Sequence, residues 1–157
     1  MKMTEELDNM RVVLLNDRPV SENGGCIIYW MQRSQRACDN PALSHAATLA
    51  NDLRKPLLVY FGLHAAYPMA STRAFTFMLE GLKETATAFR ERGIGFVVRV
   101  ELPAEGIARI AEEMDACAIV VDEDYLNLGR SWRAQAAKEL GVRLIQVDSE
   151  TVAPARI

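Results

Sequence analysis

Two clusters in this chain carry side chains able to do chemistry. The first lies in "YWMQRSQRACDNPAL", residues 29–43, where Trp30, Met31, Gln32, Arg33 and Arg36 stand between an apolar run and a helix start. The second holds Asp122, Glu123, Asp124, Tyr125, Arg130 and Trp132 just after another apolar run. Tryptophan offers aromatic surface and arginine offers cationic hydrogen bonds, so the first loop suits a flat ligand or a neighbouring domain. Arg36 and Asp39 can instead pair with each other and fix the start of the helix. Adjacent carboxylates such as Asp122, Glu123 and Asp124 can hold a divalent cation, although the commoner outcome for such a run is a solvated acidic turn.

Neither cluster contains a bond-breaking apparatus, and no catalytic residue is assigned. The first loop has no glycine, so it lacks both the dinucleotide fingerprint and a phosphate-binding loop. A nucleophile elbow is also missing. His45 and His64 have no cysteine or carboxylate at ligand spacing, which leaves no expected metal site. Cys26 and Cys117 open apolar runs and read as small core residues, while Cys38 precedes a helix start. The formal net charge of −3 does not favour non-specific adhesion to nucleic acid. The acidic N-terminal stretch and short apolar runs suit neither a leader nor a membrane span, so the expected location is the cytoplasm.

The elements that must position these clusters can be read from the apolar runs. "CIIYW" (26–30), "PLLVYFG" (56–62), "GFVVRV" (95–100), "CAIVVD" (117–122) and "VRLIQVD" (142–148) are nearly continuous, as strands covered on both faces are. Helical spacing separates them. The spacing predicts a helix over 41–53 capped by Asp39 or Asn40, and one over 72–92 capped by Ser71 or Thr72 and stopped at Gly93. In the second, Phe75, Met78, Leu79, Leu82, Ala86 and Phe89 form one stripe, which reads as core rather than as a cofactor box. Shorter helices are expected near 104–114 and 130–140, and His45 is expected to be solvated. Strands alternating with helices give a doubly wound α/β sheet, in which ligands gather at the carboxyl ends of the strands where strand order reverses.

The same residues carry a family likeness. "YWMQRSQRACDNPAL" resembles the first strand, loop and helix start of the DNA photolyase and cryptochrome superfamily, in the form found in class II deoxyribodipyrimidine photolyases. "RVVLLNDRPV", "PLLVYFGL", "FMLEGLKE", "IVVDEDYL…RSWR" and "LIQVDSETVAP" follow in the family's order, so the resemblance spans nearly all 157 residues. Asn127, Ala74 and Phe75 depart from the residues usual at their positions in that family.

The resemblance implies a Rossmann-like doubly wound α/β fold with a five-stranded parallel sheet in the order 3-2-1-4-5. It implies a lead-in over 1–25, an α/β domain over 26–150 and an interdomain linker starting over 151–157. A C-terminal helical domain that binds flavin adenine dinucleotide (FAD) and damaged DNA would follow. It further implies that this domain docks the helical one and can take an antenna chromophore of the deazaflavin type. Trp30, Met31, Gln32, Arg33 and Arg36 would then face Asp122, Asp124 and Tyr125 around that ligand or docking surface. An isolated domain would lack repair activity and could form a homodimer through its exposed docking face. The other readings are a stand-alone nucleotide-binding or signalling module and a docking subunit for a separate helical protein.

Overall fold

The computed structural model describes residues 10–68 and 70–151; the first nine residues of the lead-in, and the linker start after Thr151, lie outside the described residues. Six strands, β1 (Val12–Leu14), β2 (Cys26–Trp30), β3 (Leu57–Leu63), β4 (Gly95–Val100), β5 (Ala116–Asp122) and β6 (Arg143–Val147), form one sheet. Its order is β1-β6-β5-β2-β3-β4. Among the described residues four helices have full bounds, α1 (Pro41–Leu53), α2 (Thr72–Glu91), α3 (Pro103–Glu113) and α4 (Asn127–Glu139).

The expected sheet had five strands, and this one has six. Strands β2 to β6 are parallel and stand in the expected relative order, while β1 adds an antiparallel edge against β6. Val12–Leu14 of the lead-in are therefore part of the sheet. β6 would otherwise expose a row of unpaired N–H and C=O groups. Leu15 N–H donates to Leu144 O, and the Asn16 amide bridges Val142 O and Leu144 N–H, which carries the pairing past the strand's end.

Every residue of β2 and β5 is buried, which is why their runs are apolar without alternation. Ile27 and Tyr29 pack with Ala46, Leu82 and Phe89 on the α1–α2 face. Ile28 and Trp30 pack with Ile107, Ile110, Ala136 and Leu140 on the α3–α4 face. The chain thus leaves β2 toward one face and β5 toward the other, opening a crevice between their carboxyl ends. At the opposite end, Gly24 lies so close to the backbone that a Cβ there would sit 2.6 Å from Asp115 O. Gly24→Ala is expected to cost about 1–3 kcal/mol in urea denaturation, as overpacking against an immobile backbone does. An unchanged midpoint would show that the 114–117 backbone can move aside.

Asn40 caps α1 through its Oδ1, which accepts from Leu43 N–H, and Ser71 caps α2. The α2 stripe corrects the core reading. Leu82 and Phe89 are buried, but Leu79 is 47% exposed and Phe75 and Met78 are only half-buried. The cause is length. Twenty residues of helix reach about 30 Å, whereas strands of six or seven residues reach about 20–23 Å, so α2 overshoots the sheet. Phe89 meets Phe96 at the start of β4, which places the overhang at the carboxyl ends of the strands.

Candidate functional site

The loop after β2 is built around a carboxylate of the chain itself. Asp122, at the end of β5, is fully buried. Its Oδ2 accepts from the backbone N–H groups of Gln32 (3.0 Å), Arg33 (3.0 Å) and Ser34 (3.1 Å). Its Oδ1 accepts from the Tyr29 hydroxyl at 2.7 Å. Converging N–H groups at this point of a doubly wound fold commonly hold a ligand's phosphate. Here an internal anion takes that place, so the loop needs no glycine. Burial pushes the Asp122 carboxyl above its ordinary range, against the pull of the Gln32, Tyr29, Ser34 and Arg33 hydrogen bonds. Burial, and then the neighbouring Asp122 charge, push the Tyr29 hydroxyl well up.

The loop's far side is tied to the segment after β6. Arg36 donates to Asp39 O (3.0 Å) and Ser149 O (2.8 Å), and Ser34 Oγ donates to Glu150 Oε1 (2.9 Å). Arg33 and Arg36 also lie 3.6 and 3.8 Å from Glu150. Asn40 Nδ2 reaches Tyr29 Oη, Ser34 O and Arg36 O, joining the helix cap to the Asp122 cluster.

A cavity of about 460 Å³ opens beside this loop. Met31, Gln32, Arg33 and Gln35 form one wall, and Phe61, Leu63, His64 and Tyr67 of β3 and its following loop form the next. Phe75 and Met78, in the first two turns of α2, form a third, and Asp124, Leu126 and Trp132 close the side beyond β5. His64, Tyr67 and Trp132 meet edge-on, with ring centroids 5.7–6.5 Å apart. Such a volume, lined mainly by apolar residues with an aromatic cluster and several polar side chains, suits one flat ligand.

The predicted residues divide. Met31, Gln32, Arg33 and Asp124 line the cavity. Trp30 does not; its side chain points to the α3–α4 face and is fully buried there. Arg36 is engaged with Asp39, Ser149 and Glu150, and its partner at Asp39 is the backbone carbonyl rather than the carboxylate. Asp122 lies under the loop, and because Glu123 is buried as well, the expected solvated acidic turn is corrected. Tyr125 is 46% exposed and lines a different cleft with Arg130, Arg133 and Lys138. Arg133, also buried, holds that side together by donating to Gln146 Oε1 (2.7 Å) and Asp124 O (2.6 Å). Asp124 accepts from Leu126 N–H ahead of α4. His45, read as solvated, is half-buried, and burial lowers its pKa.

Sequence reasoning missed Phe61, Leu63, His64, Tyr67, Phe75 and Met78. "FGLHAAY" follows the strand next to β2, and two rings directly after a strand were the available signal. His64 was weighed only as a metal ligand, and Phe75 and Met78 only as core.

A doubly wound α/β domain with a cavity that carries an aromatic cluster at the carboxyl ends of its strands is the class that fold and site define. A profile of the DNA photolyase family matches residues 27–157. The deoxyribodipyrimidine photo-lyase of Methanothermobacter thermautotrophicus is 39% identical over 144 residues, covering 92% of this chain and 32% of that protein. Its counterpart in Arabidopsis thaliana is 32% identical over 139 residues, covering 87% of this chain and 28% of that protein. A Synechocystis cryptochrome shares the fold with a TM-score of 0.66 at 14% identity, over 78% of this chain and 26% of its own. A universal stress protein from Archaeoglobus fulgidus, solved in complex with dAMP, shares it with a TM-score of 0.55 at 18% identity, over 79% of this chain and 98% of its own. This chain belongs to the DNA photolyase family. It spans about a third of the length of the curated relatives it matches.

Proposed function

We propose that this chain is the antenna and docking domain of a light-dependent DNA repair enzyme, a class II cyclobutane pyrimidine dimer photolyase. The observation that carries the reading is the aromatic cavity at the carboxyl ends of β2 and β3, in a chain of this family. A deazaflavin bound there would absorb light and pass excitation energy onward. Tyr67, Trp132 and Phe75 would hold its ring system, while the Asp122-fixed loop sets the position of the Met31–Arg33 wall. FAD and the damaged DNA belong to the helical domain that the family resemblance implies, and no residue of this chain is assigned to them. Exposed Tyr125 and Leu126, near the cavity, suit the docking of that domain. Among the described residues no helix is long and apolar enough to cross a membrane.

A second reading, an adenine-nucleotide module, draws on the likeness to the stress protein solved with dAMP. The loop after β2 speaks against it, because its N–H groups are already spent on Asp122. A thermal-shift screen separates the two. A hundredfold excess of 5-deazariboflavin over its Kd should raise the Tm by about 5–10 °C, and AMP should not. Trp132→Ala should weaken deazariboflavin binding about tenfold through lost ring contact. Stabilisation by AMP alone would overturn the antenna reading in favour of the module.

A further inference from the structure

A buried polar group in the cavity wall has no hydrogen-bond partner among the described residues. Neither Oε1 nor Nε2 of Gln32 is exposed to solvent, and neither has a hydrogen-bond partner among the described residues. The rest of that residue is fixed. Its N–H donates to Asp122 Oδ2 at 3.0 Å, and its carbonyl accepts from Gln35 Nε2 at 3.2 Å. The root of the side chain is thus held while its tip is unsatisfied, an arrangement that folded chains rarely keep. Three rotatable bonds let the amide turn into the cavity without disturbing the backbone that Asp122 holds.

A primary carboxamide presents an acceptor and a donor side by side. Groups with a donor and an acceptor on one edge satisfy both at once. The N6–H/N7 edge of adenine is one, and another amide in the cis form, with its own C=O and N–H on one edge, is the one that a deazaflavin carries. A ring carrying that edge is flat and can lie against the exposed face of His64, Tyr67 or Trp132 in the cavity. We propose that Gln32 is a specificity-determining residue that pairs with the imide or lactam edge of a flat heterocycle seated among these rings. The inference rests on the reading of the cavity as a chromophore site and adds the edge that the site reads. Pyrimidine nucleosides share the edge without the extended ring system, so the aromatic walls should select against them.

The test is a fluorescence titration of the 157-residue chain with 5-deazariboflavin and with its N3-methyl derivative, with uridine as competitor. Methylation removes the N–H and should weaken binding about tenfold or more, because the buried amide is then left unpaired. Gln32→Leu should weaken the parent ligand by a similar factor and bind both forms alike. Its Tm should not fall, since an unpaired buried amide is replaced by an apolar group of similar size. Uridine should not compete at comparable concentration. Equal binding of the two forms by the unaltered chain would overturn the role of Gln32 while leaving the chromophore site standing. The methylated ligand needs no variant, so poor folding of Gln32→Leu would not blunt the comparison. Binding of neither form would remove the site and the inference together, and efficient competition by uridine would replace the tricyclic ligand class with a nucleoside.

Discussion

Asp122→Ala is expected to lower the unfolding free energy by about 3–5 kcal/mol, read from urea denaturation. The loss follows from what stays behind. Three backbone N–H groups and the Tyr29 hydroxyl would face a small hole with no acceptor. Each would cost about 1–3 kcal/mol if left dry, and the total is smaller than the sum because water enters and the loop relaxes. Asp122→Asn keeps an acceptor oxygen for the N–H groups and should cost roughly half as much. The alanine variant should also loosen the Met31–Arg33 wall and weaken ligand binding, whereas the asparagine variant should largely preserve it.

The same carboxylate predicts a pH dependence with a definite sign. Burial raises its folded pKa above the ordinary value of 3.8. Between those two values the folded chain holds a proton that the unfolded chain has released. Stability from this group is therefore fully present below the ordinary value and is lost as pH rises through the folded one. The stability difference between the unaltered chain and Asp122→Asn should grow in favour of the unaltered chain as pH is lowered through that window. A difference that is flat in pH, or that grows with rising pH, would show the hydrogen bonds outweighing burial.

Asp122 also shows where sequence reasoning stops. Strands β2 and β5 were legible because burial on both faces leaves a continuous apolar run, and local periodicity reports burial of apolar groups. The partners of Asp122 lie some ninety positions away, at Gln32, Arg33 and Ser34. No local pattern distinguishes a carboxylate that meets such partners from one in a solvated turn. The stripe of α2 failed differently. Helical period states which residues share a face, but says nothing about how far the sheet beneath extends. Leu82 and Phe89 met the sheet, Met78 packs partly against the same core and also lines the cavity, and Phe75 lies beyond that core and lines the cavity. Strand β1, with three residues, was too short for its pattern to declare a pairing partner. The crest of the sheet was legible as the place of a candidate site because both unusual loops follow strands that flank the switch point, and a cavity opens beside the first of them. The membership of the site was less so, since His64 and Tyr67 come from a third loop.

Trp30→Ala is expected to be about as destabilising as the loss of Asp122, at about 3–5 kcal/mol, and for an opposite reason. Trp30 is fully buried among Ile28, Tyr60, Ile107 and Ile110, so truncation opens a cavity between the sheet and α3. Its neighbours Tyr29 and Met31 belong to the α1–α2 face, which shows that the alternation of the strand continues through the first residue of the loop. A ligand-facing role predicted from its position would give the reverse pattern, with binding lost and stability kept. Trp30→Phe sharpens the distinction. It removes volume, but it also removes an indole N–H that has no hydrogen-bond partner among the described residues. These effects oppose one another, and a net loss of about 1–2 kcal/mol is expected. Deazariboflavin affinity should be nearly unchanged in this variant, measured below its unfolding temperature. Trp132→Ala should lose affinity with a smaller loss of stability, because Trp132 is half-buried and lines the cavity. If Trp30→Phe instead lost affinity at unchanged Tm, the ligand would have to reach through the sheet's end to the α3–α4 face, and the cavity walls assigned above would be wrong.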